Sequence, residues 1–297
     1  MGMMLPFKRE RGRPAVAYAA ALFTVVLWSS AFPASKYSLE YYSPGSIMLL
    51  RFTVASVTLL AIGAIRRIKL PKARDIPMFA LAGFIGMFFY MYCFNTGTLY
   101  VASGISSFII ASAPVFAIVL SRVLLKEVVG PASWIGVGIS FCGLAIITLS
   151  QTTEFSLNIG ILYLLGAAVS TSVYNIIQRK LLRTYSALEA TTYTLLIATV
   201  FMLVFLPGFI RELPRTPLTV NMVIAYLGVF PAALAYLSWG YALSKVDKTT
   251  HVTVFLYLVP FIASLMAYLW LHETLSIWAF LGGIVIIGGM ILTNTRK

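Results

Sequence analysis

Ten apolar segments, each close to the length of about 20 residues that a helix needs to cross a bilayer, take up most of this 297-residue chain. They run approximately Ala15–Tyr37, Ile47–Ile65, Pro77–Thr98, Ala102–Leu125, Ser133–Ser150, Ile159–Leu182, Leu188–Ile210, Val220–Leu243, Thr249–Leu271 and Ser276–Thr293. Backbone polar groups in hydrocarbon must be bonded within the segment, so stretches this long cross only as helices. The expected fold is an all-α polytopic membrane protein with ten transmembrane helices. Only 10% of the residues are charged, against about 25% in a soluble domain, which excludes an ordinary cytosolic enzyme. The first segment follows Lys8, Arg9, Arg11 and Arg13 but is longer than the apolar core of a signal peptide, and it reads as a span.

The net charge of +13 would suggest nucleic acid if it lay in a separate basic domain. It lies instead beside the apolar segments. With ten spans and an inner N-terminus, eighteen Lys and Arg fall on the inner side, within residues 8–13, 66–74, 122–126, 179–183, 245–248 and 296–297. Only Lys36, Arg211 and Arg215 fall outside, and Arg51 lies within the second span. This is the positive-inside bias, and it predicts cytoplasmic N- and C-termini in a bacterial inner (plasma) membrane. The partner implied is the lipid bilayer and not nucleic acid. Cys93 and Cys142 both lie in spans, so neither a disulfide framework nor a cysteine metal site is expected.

The chain also resembles itself at an offset of 146 residues. Pro114, Ala117, Leu125, Glu127, Gly136 and Gly143 match Pro260, Ala263, Leu271, Glu273, Gly282 and Gly289. Weaker matches pair Trp28 with Tyr174, Tyr90 with Tyr236 and Ser107 with Thr253. Each half holds five spans, an odd number, so the second must enter the membrane upside down. The expected organisation is a cytoplasmic segment 1–14, a first repeat 15–150 and an inverted second repeat 151–297. Inverted repeats are the common construction of secondary transporters, with the site near the midplane between the halves.

The stretch from Ala113-Pro114 through Leu125-Lys126-Glu127 to Gly136 and Gly143 resembles the end of an EamA-type domain, and its second copy from Val259-Pro260 to Gly289 does the same. Trp28-Ser29-Ser30-Ala31-Phe32 is similar to the opening motif of the drug/metabolite transporter superfamily. Within that superfamily the chain looks most like exporters of aromatic amino acids. The resemblance implies a cavity lined by the first, third and fourth spans and by the sixth, eighth and ninth.

Candidate substrate-binding residues are polar or aromatic side chains at depth. Trp28, Tyr90, Tyr174, Tyr236 and Tyr257 lie away from the interfaces where aromatic belts collect, and their polar atoms need partners. Either a hydrated cavity or bonding between helices would supply them. Asn175 and Gln178 follow Tyr174, with Gln178 on its helix face. Ser107 and Thr253 can bond a substrate or their own helix backbone. Pro114 and Pro260 near mid-span predict kinks, either static or flexing in gating. Glu127 and Glu273 at span ends suit a helix-end role, and His251 an interface position. The glycines of the fifth and tenth spans suit close helix packing, since Gly136-Val137-Gly138 lacks the spacing of a dinucleotide loop.

These features predict an amino acid exporter working by alternating access, with no catalytic residue, metal or cofactor, and plausibly monomeric. An intramembrane enzyme would need a nucleophile with its base, and there is no HExxH or GxSxG. A carrier of phosphorylated sugars or nucleotide sugars would need several cations at depth, whereas Lys36, Arg51, Arg179 and Lys180 are expected to snorkel to water. A proton-coupled antiporter would need an acid or histidine at depth, and all nine acids fall in loops or near span ends. Facilitated movement or exchange is therefore expected.

Overall fold

The computed structural model describes residues 14–124, 130–150, 158–244 and 254–294. Every regular element among them is helical. Eight helical stretches are long and apolar enough to cross a membrane: Ala15–Ser38, Pro44–Arg66, Ala73–Tyr100, Ser103–Leu120, Pro131–Ser150, Ile159–Gln178, Ala187–Arg215 and Leu218–Ala242. Phe255–Leu271 and Ile277–Leu292 are shorter apolar helices. Each of the ten lies on one of the segments expected from hydropathy. The ninth segment was expected to start at Thr249, and residues 249–253, like Glu127 and His251, lie outside the described residues.

Large apolar side chains such as Val57, Val200 and Trp278 remain more than half exposed around the bundle. In water this would be a severe liability, and in lipid it is the expected outer face. The protein is a multi-pass membrane protein.

Several long segments are not single straight helices. In the third, α3 (Ile76–Gly83) passes through a π turn at Phe84–Phe89 into α4 (Tyr90–Tyr100). The eighth does the same, from α11 (Leu218–Leu227) through Gly228–Leu234 to α12 (Ala235–Ser244). The two π turns overlap at the 146-residue offset. Such wide turns inside α-helices commonly mark functional positions.

The fourth segment breaks at Ser112 between α5 (Ser103–Ala111) and α6 (Ala113–Leu124). The ninth passes from a 3₁₀ turn at Val254–Leu258 into α13 (Val259–Leu271). Pro114 and Pro260 therefore stand in the first turn of a new helix rather than inside a continuous one. A proline costs nothing there, because the first-turn N–H groups lack helical partners in any case. Each proline thus begins a helix, where the sequence alone suggested a kink within one.

Three of the five described acids serve helix starts. The Glu273 carboxylate accepts the Ser103 amide at 2.7 Å and so caps α5 from the far end of α13. Glu212 accepts the amide and hydroxyl of Ser43 at the start of α2 (Pro44–Arg66). Ser186 and Glu189 form a capping box on α9 (Ala187–Met202). Lys36 does the converse job, donating to the carbonyls of Thr98, Leu99 and Val101 at the end of α4.

The fifth and tenth segments, α7 (Pro131–Ser150) and α14 (Ile277–Asn294), cross antiparallel through glycines. A methyl on Gly143 would lie 2.6 Å from the Gly282 carbonyl oxygen, and one on Gly289 would lie 2.5 Å from that of Gly136. Only glycine permits this backbone contact.

Candidate transport site

The site begins with α1 (Pro14–Ser38) and α8 (Ile159–Leu181), the first helices of the two halves. Each reaches across to backbone carbonyls of the other half. The indole Nε1–H of Trp28 donates to the Pro231 carbonyl at 3.1 Å, within the π turn of the eighth segment. Ser170 Oγ donates to the carbonyl of Ile85, within the π turn of the third. Ile85 and Pro231 are 146 residues apart. Just beyond these donors, Ser29 Oγ donates to the Val259 carbonyl at 3.2 Å and Ser172 Oγ to the Ala113 carbonyl at 2.6 Å. Ala113 and Val259 are again 146 apart, each immediately before its proline. A carbonyl oxygen can accept twice, so these hydroxyls and the indole tie the halves together without breaking helix bonds.

Aromatic side chains gather where these ties converge. The ring of Trp28 lies 5.5 Å from that of Tyr236, edge to face, and 5.4 Å from that of Trp239. Tyr90 stacks on Phe94 at 6.1 Å, and Phe94 meets Phe32 of α1 at 5.3 Å. Tyr174 is buried, with its ring over Gly86 of the π turn, where any side chain would collide with it. Its hydroxyl lies within electrostatic reach of the Gln178 side chain and of Tyr236. Trp28, Tyr90, Tyr236 and Gln178 are each only half-buried, so part of each remains open to a ligand.

The structure therefore brings Trp28, Tyr90, Tyr174, Gln178 and Tyr236 into one neighbourhood. The other expected residues stand elsewhere or are otherwise engaged. Ser107 is buried and donates to the Gly104 carbonyl of its own helix at 2.5 Å. Asn175 is exposed, about 100° around α8 from Tyr174. The Tyr257 hydroxyl reaches the Met290 carbonyl of α14 at 3.5 Å, toward the fifth–tenth crossing. Thr253 lies outside the described residues. Pro114 and Pro260 stand at the helix restarts beside the cross-half ties.

One expectation is overturned. Arg51 does not snorkel to water: it is 5% exposed in the second helix, held between the third and eighth segments. The phenols of Tyr90 and Tyr236 are its electrostatic neighbours. Its nearest polar contact is weak, from Nη1 to the Met91 sulfur at 3.8 Å. The close approach of Gly228 explains the burial. A Cβ there would be 2.6 Å from the Arg51 carbonyl oxygen, so the eighth segment lies directly on this part of α2. A charged residue at the centre of a span costs about 3 kcal/mol and normally marks function. That rule, applied to a single Arg in an apolar run, was the available signal.

Comparison with known proteins fits this architecture. The EamA-like transporter family matches twice, over residues 15–149 and 158–295. An uncharacterized transporter, YdfC, of Bacillus subtilis is 35% identical over 91% of this chain and 88% of its own length. A probable terminal-alkyne amino-acid exporter of Streptantibioticus cattleyicolor is 36% identical over 93% of each. A protein of known crystal structure, 18% identical, superposes with a TM-score of 0.65 over 96% of this chain and all of its own, a likeness of fold. The chain belongs to the EamA-like transporter family.

Proposed function

We propose that this transporter exports amino acids, aromatic ones among them, by alternating access at the aromatic cluster around Tyr236. In this reading ten helices form two inverted five-helix repeats, 15–150 and 151–297, in a bacterial inner membrane with both termini cytoplasmic. The observation that carries it is the pairing of cross-half bonds. Trp28 to Pro231 is matched by Ser170 to Ile85, and Ser29 to Val259 by Ser172 to Ala113. Two halves that grip each other through equivalent carbonyls can exchange roles, which is what opening alternately to two sides requires. The antiparallel glycine crossing supports the inversion, since equivalent helices of inverted repeats run in opposite directions. The Streptantibioticus cattleyicolor relative, by its name, supports an amino acid as cargo.

Trp28, Tyr90, Tyr174, Gln178 and Tyr236 line the substrate site, with an aromatic face meeting the substrate ammonium. A phosphorylated sugar is the weaker alternative, because one buried cation, Arg51, does not balance a dianion. The test uses the purified protein in liposomes preloaded with unlabelled L-leucine, L-methionine or L-phenylalanine, with the labelled form outside. Counterflow above that of empty liposomes is expected. Counterflow with hexose phosphates but with no amino acid would replace this reading by the alternative.

A further inference from the structure

Arg51 carries more than the function requires of a packing residue. A guanidinium has five N–H donors in a planar fork and keeps its charge in any protein environment. Here the side chain is 95% buried, Nε has no hydrogen-bond partner, and Nη1 meets only a thioether sulfur. Among the described residues no carboxylate lies within 4.0 Å of it, the single ion pair being Arg74 with Asp75 at the membrane edge. The sequence offers no acid deep in any span, and Glu189, Glu212 and Glu273 are committed to helix starts. The helix that bears Arg51 is held by the Gly228 contact, which leaves little freedom to withdraw the charge.

The fork's surroundings point to one kind of ligand. Tyr90 and Tyr236 are its electrostatic neighbours, and a phenolic O–H donates readily to an anion. Tyr236 in turn touches the ring of Trp28 at 5.5 Å. The positive fork and the π-face of Trp28 are thus both neighbours of Tyr236, an arrangement suited to the carboxylate and ammonium of a single zwitterion. We propose that Arg51 binds the carboxylate of the transported amino acid, in a bidentate pair supported by the hydroxyls of Tyr90 and Tyr236. The site then selects molecules with a free carboxylate and rejects their amides. Its selectivity would come from two groups that need each other, because loss of the carboxylate leaves Arg51 unpaired beside a cationic ligand. This rests on the reading of the protein as an amino acid exporter.

The test compares L-phenylalanine with L-phenylalaninamide, and L-leucine with L-leucinamide, on the full-length protein in lipid nanodiscs. For the unaltered protein each acid is expected to bind at least 30-fold more tightly than its amide. Arg51→Gln should bring the acid down to the affinity of the amide while leaving the amide within about threefold. Arg51→Lys, which keeps the charge but loses the fork, should fall between. The acid-to-amide ratio of the unaltered protein needs no variant to fold. Equal binding of acid and amide would overturn the role of Arg51 alone, as would a ratio that survives undiminished in Arg51→Gln. Failure to bind any amino acid would overturn the exporter reading itself, and this inference with it.

Discussion

The indole of Trp28 spends its one N–H on the carbonyl oxygen of Pro231, 3.1 Å away across the boundary between the halves. The bond therefore belongs to the scaffold, and only the ring face is left for a ligand. Trp28→Phe should keep the aromatic surface and lose the bond, lowering stability by about 1 kcal/mol with most of the transport retained. Trp28→Ala removes both and should abolish most counterflow while expression stays near normal. Thermal unfolding and counterflow, measured on both variants, separate the two contributions. Full transport by Trp28→Ala would remove this ring from the site.

The glycine crossing offers an internally controlled stability test. Gly143→Ala and Gly289→Ala would each drive a methyl into the opposing backbone, and a loss of about 1–3 kcal/mol is expected from overpacking. Gly138 stands in the same α7 with open space where its Cβ would be, so Gly138→Ala should be neutral or slightly stabilising. Melting temperatures of the three variants in one detergent decide the matter.

The prolines make a prediction about rate. Pro114 and Pro260 begin helices next to the carbonyls of Ala113 and Val259, which accept Ser172 and Ser29. With Ala at both positions the breaks can close into continuous helix. Turnover of Pro114→Ala with Pro260→Ala should fall several-fold more than substrate affinity does. Exchange at the normal rate by this double variant would mean that the prolines only shape the helices.

Energy coupling is the last point of test. The Glu273 carboxylate accepts the Ser103 amide at the start of α5, and the facilitative reading predicts no proton relay through it. Counterflow should proceed without a pH gradient and should persist in Glu273→Gln at reduced thermal stability. Concentrative uptake that requires a gradient and is lost with a protonophore would establish proton coupling instead.

Much of this architecture was legible in the sequence because bilayer thickness and helix rise fix the length of each span. The 146-residue offset was legible too, since Pro and Gly are constrained by backbone geometry and stand out against apolar background. Trp28, Tyr90, Tyr174 and Tyr236 stood out as aromatics at depth, while their mutual proximity was not readable from the offset. What escaped is tertiary. Whether Arg51 points to water or inward depends on Gly228 of a helix nearly 180 residues away, and no local pattern records that contact. Ser29 and Ser172 looked like ordinary helix hydroxyls, because their acceptors are backbone atoms, identical at every position in sequence. The π turns left no compositional trace beyond Gly228 and Pro231. Ser107 went the other way: a hydroxyl at depth can satisfy itself on its own helix, and this one does.

The antiparallel contact of Gly136 with Gly289 and of Gly143 with Gly282 has a consequence for the balance between conformations. In the inverted arrangement proposed above, exchanging the halves would map the Gly143–Gly282 contact onto Gly289–Gly136, so the crossing as a whole would return to itself. A change made at both equivalent glycines, Gly143 together with Gly289, would then alter the free energy of the two openings by the same amount, and would weaken the protein without shifting their populations. The bonds to Ile85 and Pro231 lie outside the crossing and differ chemically, a serine hydroxyl against an indole. It is through such unequal pairs that the chain can hold one opening in preference to the other.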